Sequence, residues 1–242
     1  MSWFANWFDS PYYHILYRNR DEKEAKLFIK KLAEHLNPTS NRNSKLIDIA
    51  CGKGRHAKYF NALGFDVIGI DLSNNSITAA KKDEKEKLKF FVHDMRKVYK
   101  KNTFDVATNL FTSFGYFDKS SDQQKAINAM SKNLKKGGTL VIDFMNTKKV
   151  ITNLISREKK IINGITFNIK KEVINHYIIK NIDITHSKKE YHFQEKVQAI
   201  TLAEFSCLTQ NSGLKIIDIF GNYKLEEFNA KTSDRLILIC KK

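Results

Sequence analysis

The chain has little proline, cysteine or arginine, and it has no long uninterrupted apolar run. With two prolines in 242 residues, it contains no proline-rich linker. Its three cysteines are far apart and odd in number, which fits neither a disulfide framework nor a metal site and favours a reduced, cytoplasmic compartment. No stretch approaches the ~18 apolar residues that span a membrane, and the first residues lack the features of a signal peptide. We therefore expect no membrane partner and no metal.

The charge is strongly positive, yet its composition argues against a nucleic-acid site. Lysine and arginine together number 42 against 26 acidic residues, which gives a net charge of +16. Only seven of the basic residues are arginine, the side chain that contacts guanine edges with two hydrogen bonds. A generic basic surface is therefore favoured over a nucleic-acid partner. The hydrophobic share of 42% is typical of a folded globular chain.

From residue 45 to about 146, short apolar segments alternate with segments of helix length. This pattern predicts parallel βαβ units and an open, doubly wound α/β sheet. The segment 158–200 instead shows β-branched runs with polar breaks, which indicates antiparallel strands. The last two strands lie too close together for a crossover helix, so we expect an antiparallel final pair. The predicted strands of the sheet cover residues 46–49, 65–70, 88–92, 104–110, 139–144, 214–220 and 235–240.

The chain divides into three predicted regions. Residues 1–37 form a helical N-terminal segment that is rich in aromatic side chains. Residues 38–150 and 201–242 form the sheet domain, with seven mostly parallel strands and an antiparallel last strand. Residues 151–200 form an antiparallel β insert after strand five.

A ligand site is expected where the first three strands end. The segment Asp48-Ile49-Ala50-Cys51-Gly52-Lys53-Gly54 joins a strand to a helix, and its small residues let a ligand approach the backbone. Asp71 ends the second strand, and Asp94 follows the third. Because ligands of open α/β sheets bind outside the carboxyl ends of the strands, Asp71 can accept hydrogen bonds from ribose hydroxyls and Asp94 from an adenine amino group.

The charge of the ligand distinguishes NAD from S-adenosyl-L-methionine, the two cofactors that this turn can accommodate. Gly52, Gly54 and Ala57 also satisfy the dinucleotide pattern G-x-G-x-x-G/A. The pyrophosphate of NAD is an anion, which Asp48 would repel. S-adenosyl-L-methionine carries an ammonium and a sulfonium, both of which Asp48 would stabilise. The residues favour S-adenosylmethionine over NAD; the alternative is that Asp48 only caps neighbouring N–H groups.

In these motifs the chain resembles the class I S-adenosylmethionine-dependent methyltransferases. The resemblance covers about residues 40–146, and the N-terminal segment and the β insert look like the subgroup that methylates small molecules. Ala50 stands where the family often has glycine, and we expect it to keep a negative φ. The matching motifs are residues 48–54, 69–73, 92–95, 104–107 and 134–141.

The resemblance implies a set of cofactor contacts. The methionine moiety would lie against the turn 50–54, the ribose at the end of strand two, and the adenine at the end of strand three. The end of strand four would lie near the transferring methyl. The residues implied are Asp48, Ala50, Cys51, Gly52, Gly54, Asp71, Leu72, Asp94, Met95, Asn109 and Leu110.

The aromatic N-terminus is a candidate lid. Tyr13 and Tyr17 would contact the cofactor, and the guanidinium of Arg20 could donate two hydrogen bonds to the carboxylate of the cofactor. The alternative is that the aromatic residues of this segment, the tryptophans above all, pack on the edge of the sheet. Candidate catalytic residues are Tyr116, Asn109 and His14, with His176 and His192 as further bases. Because the sulfonium is already activated, a base is needed only when the acceptor arrives protonated.

We therefore expect methyl transfer to a small-molecule acceptor by in-line displacement. The segment Asn109-Leu110-Phe111-Thr112 lacks the prolines found at this position in N6-adenine methyltransferases, which argues against base methylation of that type. Two alternatives stay open. One is an RNA or protein methyltransferase, which the positive charge would help, and the other is a non-catalytic S-adenosylmethionine-binding module.

Overall fold

A computed structural model describes residues 7–17, 22–36 and 44–242. Eleven strands are described within these ranges. In chain order they are β1 (Lys45–Ile49), β2 (Asp66–Asp71), β3 (Leu88–Val92), β4 (Phe104–Asn109), β5 (Leu134–Met145), β6 (Arg157–Ile162), β7 (Ile165–Ile174), β8 (Tyr177–His186), β9 (Lys189–Gln198), β10 (Lys215–Phe220) and β11 (Arg235–Lys241).

Seven of these strands form the main sheet, in the order β10-β11-β5-β4-β1-β2-β3. The strands β1 to β5 pair in parallel, whereas β11 pairs antiparallel with both β5 and β10. This arrangement confirms the predicted sheet with its antiparallel last strand. It also brings the carboxyl ends of β1, β2 and β4 to the same edge.

Helices cover both faces of the main sheet and enclose two apolar layers. One layer contains Phe205 and Phe144, and the other contains Phe60 and Phe90, all of them fully buried. Within the described ranges no helix is long and apolar enough to cross a membrane. The helices are α1 (Pro11–Leu16), α2 (Glu22–Leu36), α3 (Arg55–Ala62), α4 (Asn74–Ala80), α5 (Ser120–Asn133), α6 (Thr147–Thr152) and α7 (Leu202–Gln210).

The insert is a four-stranded antiparallel sheet formed by β6, β7, β8 and β9. Each hairpin turns through two residues with positive φ, which are Asn163-Gly164, Asn175-His176 and Ser187-Lys188. Such turns match the natural twist of paired strands. They hold β7 and β8 together over ten residues each, so these strands are longer than the fragments that the sequence predicts.

The N-terminal segment packs on this insert rather than on the edge of the main sheet. Trp7 is 1% exposed, and it shares an apolar cluster with Leu16, Phe167 and Ile182. The expected packing of Trp7 on the sheet edge is therefore wrong, because its ring packs among apolar side chains of the insert, with the Phe193 ring at 4.8 Å. Trp3 and Phe4 lie outside the described residues.

Candidate cofactor and acceptor site

A cavity of about 410 Å³ lies at the edge where β1, β2 and β4 end. Its walls come from the turns after these strands and from the N-terminal segment around α1. Most of the predicted site residues meet here. Those that line the cavity are Tyr13, Tyr17, Ala50, Cys51, Gly52, Asp71, Leu72, Asp94, Met95, Leu110 and Tyr116.

The turn after β1 is held in a left-handed backbone conformation. The φ angles of Ala50, Gly52 and Gly54 are +59°, +56° and +77°. The expectation of a negative φ at Ala50 is wrong, because the turn needs the left-handed conformation even at a residue with a Cβ. The N–H of Cys51 donates to the carbonyl of Ile70 at 3.0 Å, which ties the strained turn to β2.

The two glycines of the turn have different functions. A Cβ added at Gly52 would meet no atom within 4 Å, so this residue presents open backbone to the cavity. A Cβ at Gly54 would lie 2.5 Å from the ring of Phe90. Gly54 begins α3 against that ring and is not among the described residues that line the cavity, so its predicted cofactor contact is not supported by its position.

Asp71 is the carboxylate best placed for a ligand. Its two oxygens accept hydrogen bonds from the N–H groups of Gly52 and Ser73, each at 2.8 Å. A carboxylate oxygen can accept a second hydrogen bond, so each retains capacity toward the cavity. Burial raises the pKa of Asp71, and the hydrogen bonds from Ser73 and Gly52 oppose that shift.

Asp48 and Asn109 lie beneath the turn instead of in the cavity wall. Thr108 Oγ1 donates to Asp48 Oδ1 at 2.9 Å, and Asn109 Nδ2 donates to the carbonyl of Ile49 at 3.0 Å. Asp48 Oδ2 and Asn109 Oδ1 have no hydrogen-bond partner among the described residues. Burial, with a smaller contribution from the charge of Asp71, raises the pKa of Asp48 to about 7.

This burial corrects two predicted contacts. Asn109 is 0% exposed and Asp48 is 1% exposed, and neither is among the described residues that line the cavity. A catalytic role of Asn109 in contact with the acceptor does not fit this position. Both side chains instead support the turn from below.

Asp94 lines the cavity, but its carboxylate is already engaged. Arg96 donates to Asp94 from its backbone N–H and from its guanidinium, at distances of 2.7–3.1 Å. Arg96 also donates to Asp122 at 2.8 Å. Although burial opposes it, hydrogen bonding by Arg96 holds the pKa of Asp94 below its ordinary value. Asp94 thus fixes Arg96 in the cavity wall, and an adenine contact by the carboxylate would compete with Arg96.

Aromatic side chains form a second part of the cavity wall. Phe8 makes edge-to-face contacts with Tyr13 at 5.0 Å and with Tyr116 at 5.2 Å, measured between ring centroids. Tyr13 also packs against Tyr17 at 5.0 Å. Asp9 accepts a hydrogen bond from the Ser73 hydroxyl, so the N-terminal segment also reaches the turn after β2. We call this wall, formed by Phe8, Tyr13, Tyr17 and Tyr116, the aromatic wall.

A partly buried charged pair on the insert, Lys180 and Glu195, holds this wall in place. Glu195 accepts hydrogen bonds from Trp7 Nε1 and from the Tyr17 hydroxyl, both at 2.7 Å. Lys180 Nζ lies 3.6 Å from Glu195 and also donates to the Tyr17 hydroxyl. Burial raises the pKa of Tyr17 well above its ordinary value. Tyr17 therefore stays protonated and acts as a donor to Glu195.

The remaining predicted site residues fall into two groups. Arg20 and the side chain of His14 lie outside the described residues. His176 is exposed in the turn between β7 and β8, and His192 is exposed and paired with Asp183 at 2.7 Å. Neither of these two histidines lines the described cavity, so the structure does not support them as bases.

Several residues that line the cavity were not singled out from the sequence. His93 lies within the motif 92–95 and His56 comes two residues after the motif 48–54, while Thr112 and Ser113 come three and four residues after the end of β4. Their positions next to strand ends are the signal that could have identified them. Arg96 gave a weaker signal, because its place in the wall depends on the contact with Asp122, 26 residues away in the chain.

Comparison with known proteins agrees with this geometry. A family model described as a methyltransferase domain matches residues 40–219. A curated relative, the dTDP-3-amino-3,4,6-trideoxy-alpha-D-glucopyranose N,N-dimethyltransferase of Streptomyces venezuelae, is 24% identical over 182 residues, which are 72% of this chain and 76% of the relative.

Two solved structures share the fold. An S-adenosylmethionine-dependent methyltransferase from Clostridium acetobutylicum superimposes with a TM-score of 0.79 at 18% identity, and the match covers 98% of this chain and 97% of the other. The amino pentose methyltransferase CalS10 of Micromonospora echinaspora, with S-adenosylmethionine bound, gives a TM-score of 0.72 at 18% identity and covers 96% and 97% of the two chains.

Proposed function

Because the chain belongs to the methyltransferase-domain family and is an S-adenosylmethionine-dependent methyltransferase, we propose that it methylates an amine on a small acceptor molecule. The observation that carries this proposal is a single cavity that the cofactor turn and the aromatic wall share. Asp71 and Gly52 of the cofactor turns line this cavity, and so do Tyr116 and Phe8 of the aromatic wall. A cofactor and a small acceptor held between these walls would meet directly.

The residues at the turn fit S-adenosylmethionine. Asp71 has acceptor capacity for the two ribose hydroxyls, and Gly52 leaves its face of the turn open. Asp48 and Asp71 place negative charge beneath a ligand that carries an ammonium and a sulfonium. When bound, this cofactor supplies a methyl group on positively charged sulfur, which is an electrophile that needs no further activation. The protein has to supply orientation and to exclude water.

The size and charge of the cavity support a small acceptor. Its volume of about 410 Å³ lies in the range of small-molecule sites. Both arginines in the described lining are engaged within the protein: Arg96 binds Asp94 and Asp122, and Arg55 lies over the Phe111 ring at 4.7 Å. These contacts oppose an open cationic groove for an RNA backbone, in spite of the high net charge.

The aromatic wall supports an amine as the acceptor group. The neutral amine attacks the methyl group with its lone pair, the C–S bond breaks, and the positive charge passes from sulfur to the amine nitrogen. Aromatic faces attract the ammonium that forms in this way, and the phenol of Tyr116 can accept a hydrogen bond from an amine N–H. We propose that Tyr116 orients the amine toward the methyl group, while Tyr13 and Tyr17 close the site against water. The relative from Streptomyces venezuelae is named as an N,N-dimethyltransferase of an amino sugar nucleotide, which agrees with this proposal.

Transfer of labelled methyl groups tests the proposal. The chain is incubated with methyl-labelled S-adenosylmethionine and a panel of primary amines, each paired with the alcohol of the same skeleton, and separately with bulk tRNA and cell protein. We expect amines to be labelled at least ~10-fold faster than their matched alcohols, as for a site built for one polar group. Labelling of tRNA or protein alone would contradict the small-molecule proposal, and preference for the alcohols would contradict the amine.

A further inference from the structure

The segment that follows β4 adopts a strained conformation in the cavity wall. Phe111 and Thr112 have φ angles of +59° and +60°, and both residues line the cavity. Left-handed backbone is unfavourable for residues with a Cβ, and a β-branched threonine adopts it least readily. Two such residues in succession require a surrounding structure that imposes the conformation.

Asp143, a fully buried residue near the end of β5, holds both residues from below. The N–H of Phe111 donates to Asp143 Oδ2 at 2.8 Å, and the N–H of Thr112 donates to the Asp143 carbonyl at 2.9 Å. The Asp143 side chain is 0% exposed. One residue of β5 therefore binds two successive amides of the neighbouring loop.

Arg235, the first residue of β11, completes the support. Its Nε donates to Asp143 Oδ1 at 2.8 Å, and its Nη2 donates to the Thr112 hydroxyl at 2.9 Å. Tyr223 adds a hydrogen bond to Asp143 Oδ2 at 3.2 Å. The two nitrogens of one planar guanidinium thus fix the carboxylate and the loop relative to each other, a geometry that a lysine does not reproduce.

Ring stacking links this loop to the cofactor turn. The Phe111 ring lies between His56, at a centroid distance of 4.7 Å, and Tyr223, at 5.2 Å, and it is nearly parallel to both. His56 belongs to the first turn of α3, directly after the cofactor turn. A shift of Phe111 would therefore displace His56 and the neighbouring cofactor turn, where the methionine moiety is expected to bind.

We propose that Asp143 and Arg235 are positioning residues, which hold Phe111 and Thr112 so that this wall fixes the methionine end of the cofactor beside the acceptor. The inference rests on the proposed function for the identity of the ligands. Buried ion pairs add little stability over apolar replacements, whereas this pair maintains a backbone conformation that the loop would otherwise leave. It touches neither ligand and acts through the loop.

Two variants test the proposal without knowledge of the acceptor. Arg235→Lys keeps the positive charge but loses the planar guanidinium that binds Asp143 and Thr112 at once. Asp143→Asn removes the negative charge of the carboxylate. Calorimetry compares S-adenosylhomocysteine with methylthioadenosine, which lacks the amino-acid moiety. We expect each variant to lower the affinity for S-adenosylhomocysteine about 10-fold and the affinity for methylthioadenosine less than about 3-fold. This difference is expected because only the amino-acid end of the ligand loses its orientation. Hydrogen exchange at the amides of Phe111 and Thr112 should accelerate.

A control variant and a rescue variant separate positioning from general stability. Ile239→Val removes a buried methylene from the same strand β11 and should lower the melting temperature without changing the ratio of the two affinities. Thr112→Asn, added to Arg235→Lys, should restore part of the affinity for S-adenosylhomocysteine, because asparagine tolerates the left-handed conformation.

An unchanged affinity ratio and unchanged amide exchange in both Asp143→Asn and Arg235→Lys, with a lower melting temperature alone, would overturn the inference and leave the pair a structural one. Failure of the proposed function has a different signature. In that case the unaltered protein methylates no small amine, while the variants still change the affinity ratio.

Discussion

The two walls of the cavity are built in different ways. At the cofactor side, backbone turns and the carboxylate of Asp71 follow directly from the ends of parallel strands. At the aromatic wall, Phe8, Tyr13 and Tyr17 come from the N-terminal segment around α1, which the insert holds through Glu195 and Lys180. Tyr116 comes from the segment after β4. The first wall depends on the topology of one sheet, and the second depends on contacts between distant segments. Substitutions at the two walls should therefore have separable effects.

Asp71→Ala should give the largest change at the cofactor wall. The substitution removes the acceptor for the ribose hydroxyls and leaves the N–H groups of Gly52 and Ser73 without their partner. We expect the affinity for S-adenosylmethionine to fall by about 1–3 kcal/mol, measured by calorimetry. Asp66→Ala, at the opposite end of the same strand, is the matched control. Unchanged affinity in Asp71→Ala would remove this residue from the site.

Substitutions of Gly54 and Gly52 should separate an effect on the stability of the fold from an effect on cofactor binding. Gly54→Ala places a Cβ against the Phe90 ring at a φ of +77°, and we expect a loss of about 1–3 kcal/mol in the free energy of unfolding. The Cβ added by Gly52→Ala meets no atom within 4 Å. This substitution should lower the free energy of unfolding by about 1 kcal/mol through backbone strain, and it should also lower the affinity for the cofactor. Chemical denaturation and calorimetry measure the two effects. Equal losses of stability would contradict the distinction.

Glu195→Ala tests the aromatic wall. Without Glu195, Trp7 and Tyr17 lose their shared acceptor and Lys180 loses its counter-charge. We expect turnover to fall about 10-fold as water enters the site, while methylthioadenosine affinity changes less than about 3-fold. Hydrogen exchange in residues 7–17 should accelerate. The matched control is Glu190→Ala, on the same strand. A large loss of methylthioadenosine affinity would show that the two walls are not separable.

The pH dependence of cofactor binding gives the smallest expected effect. Asp48 has a pKa of about 7 in the folded chain, so it ionises between about pH 6 and 8. Its charge favours a cationic ligand, and the affinity for S-adenosylmethionine should therefore rise about 3–10-fold over this range. Asp48→Asn should flatten the rise, and calorimetry at several pH values measures it. An equally steep rise in Asp48→Asn would assign the effect to another group.

The same pKa shift makes the ligand-free protein less stable at higher pH. A folded-state pKa above the ordinary value means that the folded chain binds this proton more tightly than the unfolded chain does. The contribution of protonated Asp48 is therefore fully present below about pH 4, and it is lost as pH rises through about 7. Comparison of Asp48→Asn with the unaltered chain by denaturation across this range isolates the contribution. A constant difference in stability would contradict the assignment.

Much of the main sheet could be predicted from the sequence, because strands and helices alternate with clear turn residues between them. The glycine pair 137–138 does not mark the end of α5, although glycine commonly follows the last residue of a helix. The helix stops at Asn133, and the chain then extends through residues 134–139 as the start of β5. The helix α6, over Thr147–Thr152, was not predicted. The Asn163-Gly164 pair is a strong hairpin signal that would have located the first turn of the insert.

At the site, the strand-end rule placed Asp71 and Gly52 correctly in the cavity wall. It failed for Asn109, because the side-chain amide of this residue binds the carbonyl of Ile49 and is buried beneath the turn. The contact between Tyr17 and Glu195 spans 178 positions, and the contact between Asp143 and Arg235 spans 92. No local pattern marks such pairs, because only the folded chain brings them together.

A structure of the chain with S-adenosylhomocysteine bound tests the central claim most directly. The account predicts that the ribose hydroxyls lie within hydrogen-bond distance of the Asp71 carboxylate, with the sulfur directed toward the space beside Tyr116 and Phe8. A ribose bound away from Asp71 would contradict a single cavity shared by cofactor and acceptor. A sulfur that faces solvent and points away from the aromatic wall would contradict it as well.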